Sequence, residues 1–161
     1  MSFNPLLGKF QSPTFDGRLP QPEPNEDIDT RTRAIQSAID DGGAVQLGQG
    51  VYVCGQLILR DRTQIVGQSA ANTVLWARDG MQGDFITSAD LNSLKGSNLR
   101  HAEDGVPHFC GVKNITVDGN RANAETGDLI SFYCRLPEIE NVFLTQSHGA
   151  GIRWEQGTPG T

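Results

Sequence analysis

"VKNITVDGN" at residues 112–120 returns as "IENVFLTQS" at residues 139–147, where Val112, Asn114, Ile115 and Val117 fall on Ile139, Asn141, Val142 and Leu144. The offset is 27 residues. A second echo links "GDFITS" at 83–88 to "GDLISF" at 127–132, and more loosely to "AGIRW" at 150–154, with 22 residues from Ile130 to Ile152. Self-similarity at a near-constant spacing is the signature of a solenoid. A unit of this length holding two or three short strands is what one coil of a parallel β-helix needs, because each coil buries its apolar positions only against its neighbours. The 44 residues from 83 to 127 then hold two coils, or one coil with an insertion. The polar, turn-rich stretch "SADLNSLKGSNLRHAEDGVPH" at 88–108 favours the insertion.

The surrounding chain agrees with this reading. In "AVQLGQGVYVCGQLILRDRTQIVGQ" at 44–68, apolar residues alternate with polar or small ones and the runs break at glycines. Connections this short leave no room for crossover helices, so a β-helix, a sandwich or a barrel remains. A sandwich would pair 112–118 with 139–145 antiparallel. Upstream, "DIDTRTRAIQSAIDD" at 27–41 places Ile28, Ala34, Ile35, Ala38 and Ile39 on one helical stripe, with Asp29 or Thr30 as N-cap and Gly42-Gly43 as the stop. Residues 1–26 hold five of the eight prolines and no apolar period, which predicts an extended arm.

Composition narrows the partners. The 161 residues are 37% apolar with no 20-residue apolar span or signal peptide, so neither a membrane span nor a secretory leader is expected. The 13 basic and 19 acidic residues give a net charge of −6, which argues against a nucleic-acid or anionic-membrane partner. Cys54, Cys110 and Cys134 are odd in number and lack metal-type spacing. They read as buried free thiols of a protein folded in a reducing cytosol.

The succession "TRTRAIQSAIDDGGAVQLGQGVYVCGQLILRDRTQIVGQ" followed by "VKNITVDGN" resembles the start of the pectate-lyase-like right-handed parallel β-helix proteins, which include phage tailspike depolymerases and polygalacturonase relatives. Residues 34–40, 43–53 and 57–68 match the capping helix and first two coils of that family in order, and the resemblance spans about residues 27–155. It implies an all-β right-handed parallel β-helix with an N-terminal capping helix over 27–43 and coils over 44–161, incomplete at its C-terminal end. The implied function is binding and cleavage of a polysaccharide by a glycoside hydrolase or a polysaccharide lyase, as the N-terminal part of a tailspike-like depolymerase. The alternative is a non-catalytic module for trimer assembly, attachment or glycan binding. No cofactor is implied. The expected partners are a polysaccharide and a homotrimer, or another chain that supplies the remaining coils. The expected location is a virion tail or the extracellular space.

Hydrolysis of a glycosidic bond needs two carboxylates. Elimination needs a base and a positive group beside a uronate. Asp118, Asp128, His148 and Glu155 are the catalytic candidates, and Asn120, Arg121, Arg153 and Trp154 the substrate-binding ones; no metal ligand set is visible. Each has a structural reading beside it. Asp118 opens the turn "DGN"; Asp84 and Asp128 share a repeat position and either stack as a carboxylate pair or start successive strands. Ser147-His148-Gly149 resembles the "GHG" of polygalacturonases, but their upstream carboxylate motifs are missing, and a surface turn histidine is the alternative. Trp154 beside Glu155 offers an aromatic platform next to an acid. Asn114 and Asn141 occupy one repeat position and are expected to stack along neighbouring coils.

Overall fold

The computed structural model describes residues 27–88 and 107–155. The expected arm at 1–26 and nearly all of the expected insertion at 88–108 lie outside them. The chain begins with α1 (Ile28–Asp40), whose N-cap is Asp27. This corrects the expectation of Asp29 or Thr30. The Asp27 carboxylate accepts the Thr30 backbone N–H at 3.2 Å and also the Thr30 hydroxyl, so it satisfies an otherwise orphaned donor of the first turn. Asp29 instead pairs with Arg78 at 2.6 Å. Ile35 and Ile39 are fully buried where the helix packs on the first three strands.

Four coils follow. The first holds β1 (Gly43–Leu47), β2 (Gly50–Cys54) and β3 (Leu57–Leu59); the second holds β4 (Thr63–Gly67), β5 (Thr73–Ala77), β6 (Gln82–Gly83) and β7 (Ile86–Ser88). The third holds β8 (Gly111–Asp118), β9 (Glu125–Thr126) and β10 (Ile130–Tyr133), and the fourth β11 (Glu138–Thr145) and β12 (Ile152–Glu155). Every strand pairing is parallel, which makes the fold a parallel β-helix and not a sandwich.

The register matches the repeats read in the sequence. Val112 pairs with Ile139, Ile115 with Val142 and Val117 with Leu144, while Ile130 pairs with Ile86 on one side and Ile152 on the other. Three inward columns result, one per face. They are Val45-Ile65-Val112-Ile139, Tyr52-Leu75-Val117-Leu144 and Leu57-Ile86-Ile130-Ile152. Burial of each such side chain contributes about 1.5–3 kcal/mol. The third coil's members are fully buried, whereas Ile139 and Leu144 are half-buried and Ile152 is 46% exposed, because among the described residues no further coil covers them.

Coils three and four turn the corner between the first two faces at a single residue. Asn114 and Asn141 take up left-handed backbone there, at φ 53° and 50°, and Asn141 Nδ2 donates to Asn114 Oδ1 at 3.1 Å. Asparagine suits the position because its short amide tolerates that region and bonds along the stack. In the second coil the same corner takes residues 68–72, and Gly67 lies against the Asn114 carbonyl; a Cβ on it would sit 2.3 Å from that oxygen.

Two stability outcomes are expected in thermal unfolding. Asn141→Ala loses both the amide bond and the left-handed preference and should cost about 1–2 kcal/mol, whereas Asn141→Gly keeps the backbone freedom and should cost less. Gly67→Ala should cost about 2–3 kcal/mol, since its nearest obstacle is backbone and cannot swing away.

Candidate functional site

Most of the candidate residues gather at the corner that follows β8 and β11, in an inner network and an outer group, whereas Trp154 and Glu155 lie at the far end of β12. The inner network begins with Asp118, which ends β8 between its register partners Trp76 and Thr145. It faces outward as a strand-end residue should, yet it is only 3% exposed. Its Oδ1 accepts the Asn120 N–H at 2.8 Å, an Asx turn that holds Asn120 at φ 50°. Burial pushes the Asp118 carboxyl above the ordinary carboxylate range, and that one backbone bond opposes the shift. Asn120 is 5% exposed and donates to Ala77 O at 2.9 Å and Asp79 Oδ1 at 2.8 Å, while its own Oδ1 accepts Asn123 Nδ2 at 3.2 Å. Gly119, between them, has no room for a side chain: a Cβ would lie 2.4 Å from Gln146 O and 2.7 Å from Leu129 Cδ2. These bonds tie the third coil to the second.

The outer group centres on Asp128, which precedes β10. Asp84 Oδ1 accepts the Asp128 N–H at 2.9 Å, and Asp128 Oδ1 accepts the Ala150 N–H at 2.7 Å, so each aspartate caps the equivalent residue of the next coil. The two carboxylates therefore act on successive backbones and do not face each other as a pair. Gly127 and Gly149 leave space for them; a Cβ would meet Asp84 Oδ1 at 2.5 Å and Asp128 Oδ1 at 2.6 Å respectively. The second oxygen of Asp128 holds Arg153 Nε at 2.6 Å. Asp128 is 4% exposed, while over half of the Arg153 side chain is open to solvent, so the guanidinium is anchored at one edge and free at the other.

His148 lies exposed beside this pair in sequence, and its Nε2 is 3.1 Å from the Arg121 carbonyl, which joins the two corner loops. Ser147 Oγ donates within the same turn and to Gly127 O at 3.1 Å. Arg121 is exposed at the loop surface. Trp154 is the register partner of the buried Phe132; it is 53% exposed and donates Nε1–H to Cys134 O at 3.1 Å. Glu155 ends β12, and its side chain lies outside the described residues. Asp79 was missed in the sequence because its partner Asn120 is 41 residues away on the next coil. Among the described residues no cluster of three or more histidine, cysteine, aspartate or glutamate side chains is placed to hold a metal ion. None of the described helices is long and apolar enough to cross a membrane.

The raised Asp118 carboxyl has a stability consequence. A folded-state pKa above the unfolded value means that stability falls as pH rises from the unfolded pKa through the folded one. Asp118→Asn keeps an acceptor for the Asn120 N–H and removes the buried charge. Its melting temperature should match wild type below about pH 4 and exceed it once pH has risen through the folded-state pKa; a melting-temperature difference independent of pH would contradict this.

Comparison with known proteins gives three findings. The family described as rhamnogalacturonase A/epimerase, pectate lyase-like matches residues 24–160. "Alginate lyase 7" of Azotobacter vinelandii is 33% identical over 115 residues, which cover 63% of this chain but 12% of that protein. The A-modules of the Azotobacter vinelandii mannuronan C-5 epimerases AlgE4 and AlgE6 superpose with TM-scores of 0.61 and 0.58, each at 24% identity over 80% of this chain and 38% and 37% of theirs. The chain thus spans well under half the length of these relatives. With its parallel β-helix and a match running from the capping helix through the fourth coil, this chain belongs to the rhamnogalacturonase A/epimerase, pectate lyase-like family.

Proposed function

We propose that this chain is the N-terminal part of a β-helix protein that acts on a uronate-containing polysaccharide, and that the outer corner of the third and fourth coils contributes to its sugar-binding surface. The observation that carries this reading is Arg153. In a chain of net charge −6, a guanidinium whose side chain is 55% exposed is fixed through Nε by a buried carboxylate at 2.6 Å. A planar cation held in one orientation suits the carboxylate of a uronate better than a neutral sugar ring. Arg121 and His148 lie on the two loops joined beside it and supply further donors. The names of the similar proteins, an alginate lyase and mannuronan epimerases, denote chemistry on polyuronates and support the same substrate class.

In this reading Asp128 positions Arg153, since both of its oxygens are already engaged. Asp118 and Asn120 shape the corner from beneath. His148 presents an exposed imidazole there. Cleavage of the chain by elimination would need such a base together with Arg153 to neutralise the uronate. Glu155, two residues beyond Arg153, is the further acid proposed for this surface.

One observation favours a second reading, a non-catalytic module for assembly or attachment, such as a trimeric virion tail part. Ile152 at 46% and Trp154 at 53% exposure leave apolar surface on the fourth coil that a partner copy could cover as well as a further coil.

Calorimetric titration separates the two. Oligomannuronate should bind, a neutral oligosaccharide of equal length should bind at least tenfold more weakly, and Arg153→Ala should lose about tenfold in affinity for the uronate, corresponding to about 1.4 kcal/mol. Binding of neither sugar, with concentration-dependent trimer formation, would favour the second reading.

A further inference from the structure

Cys110 and Cys134 bracket the third coil: one stands immediately before β8 and the other immediately after β10. Both are free and buried. The Cys110 backbone N–H donates to Cys134 Sγ at 3.3 Å, and Cys110 Sγ donates to Arg60 O on the second coil, also at 3.3 Å. The backbone around them is pinned. Phe109 N–H donates to Arg135 O at 2.9 Å, Arg135 N–H to Pro107 O at 2.9 Å, and Glu138 N–H to Cys110 O at 2.9 Å. The Cys134 sulfur therefore lies against the Cys110 backbone at one corner, with main-chain bonds on either side, while its own hydrogen donates to Arg135 O at 3.3 Å. Closeness to Cys110 draws the Cys134 thiol below the ordinary range, and closeness to Cys134 together with burial drives that of Cys110 upward. Cys134 is thus the readier nucleophile of the two, since the thiolate is the attacking form.

We propose that Cys110 and Cys134 form a redox pair that closes the third coil with a disulfide when the protein meets a disulfide-donating oxidant, such as oxidised glutathione or a dithiol oxidase. The Cys134 thiolate attacks a sulfur of the oxidant and releases one thiol, leaving a mixed disulfide on Cys134. Cys110 then displaces the second thiol. Two S–H bonds are lost and one protein S–S bond forms; the two electrons and two protons end on the oxidant, which leaves as two thiols. Because both sulfurs are buried, the exchange proceeds as the fourth coil opens or before it docks. The product is a covalent ring over residues 110–134 that contains β8, β9 and β10, and closing such a loop restricts the unfolded chain. Cys54 stays outside this chemistry. It lies in β2 beneath α1, where burial pushes its thiol up to about 12. The odd cysteine count then resolves into one pair and one inert core residue.

The test uses the intact protein equilibrated in oxidised glutathione and, in parallel, in dithiothreitol. Samples are acid-quenched, alkylated in denaturant and analysed by mass spectrometry and thermal unfolding. The oxidised sample should carry one alkylated thiol, at Cys54, and yield a linked peptide joining Cys110 to Cys134. Its melting temperature should be roughly 5–10 °C above the reduced sample. Cys110→Ala should leave two alkylated thiols and no redox dependence of melting. Should that variant fail to fold, the thiol count and linked peptide of the wild type decide alone. Three alkylated thiols after oxidation, a stable glutathione adduct on Cys134, or a disulfide-linked dimer would each overturn the proposal.

Discussion

No coil of this protein has a core of its own. The side chain of Ile130 is buried because Ile86 lies below it and Ile152 above it in strict parallel register, and the same holds for Val112 between Ile65 and Ile139. Stacking in register is therefore the condition on which everything else rests, since a one-residue slip would turn each inward column outward. Polar groups at the corners enforce it. The Asn114–Asn141 amide bond, the aspartate steps from Asp84 to Asp128 and from Asp128 to Ala150, and the buried Asn120 each join one coil to the next at a fixed position.

The same devices build the candidate site. Asp128 is spent on register through one oxygen and on Arg153 through the other, so a structural ladder ends in an oriented, exposed cation. That ending is a consequence of sequence. At the next repeat position stands Ala150, which has no carboxylate to continue the ladder. Around the corner, Gly119, Gly127 and Gly149 admit the close backbone and carboxylate approaches that a Cβ would block. The corner is dense inside and carries the exposed side chains of Arg121 and Arg153 outside, in a protein whose overall charge is negative.

Much of this was legible in the sequence, and for a physical reason. Inward positions must stay apolar at every coil, so Val112, Ile115 and Val117 recur as Ile139, Val142 and Leu144, and the asparagine corner recurs with them. The repeat also identified Asp84 and Asp128 as equivalent. It left their role open, because one spacing serves a facing carboxylate pair and a backbone-capping series equally well. The helix start was misplaced by two or three residues, since Asp27, Asp29 and Thr30 are all competent caps and only the fold shows which carboxylate turns back on the first turn. The burial of Asp118 was not legible: strand-end logic gives its outward direction, but its cover comes from neighbours on other coils. Asp79 was invisible for the same reason, as its partner lies 41 residues away. The pairing of Cys110 with Cys134 was hidden too, because a diagonal contact across a corner follows neither repeat spacing.

The claim that joins fold to function is that the ladder's end presents Arg153 and its neighbours to a polyuronate. Backbone amide shifts recorded during titration with an oligomannuronate test it most directly. The account predicts perturbations confined to residues 121–123 and 146–153, with the inward columns and the Asn114–Asn141 corner unmoved. Perturbations centred on another face of the helix, or none at saturating sugar, would contradict it.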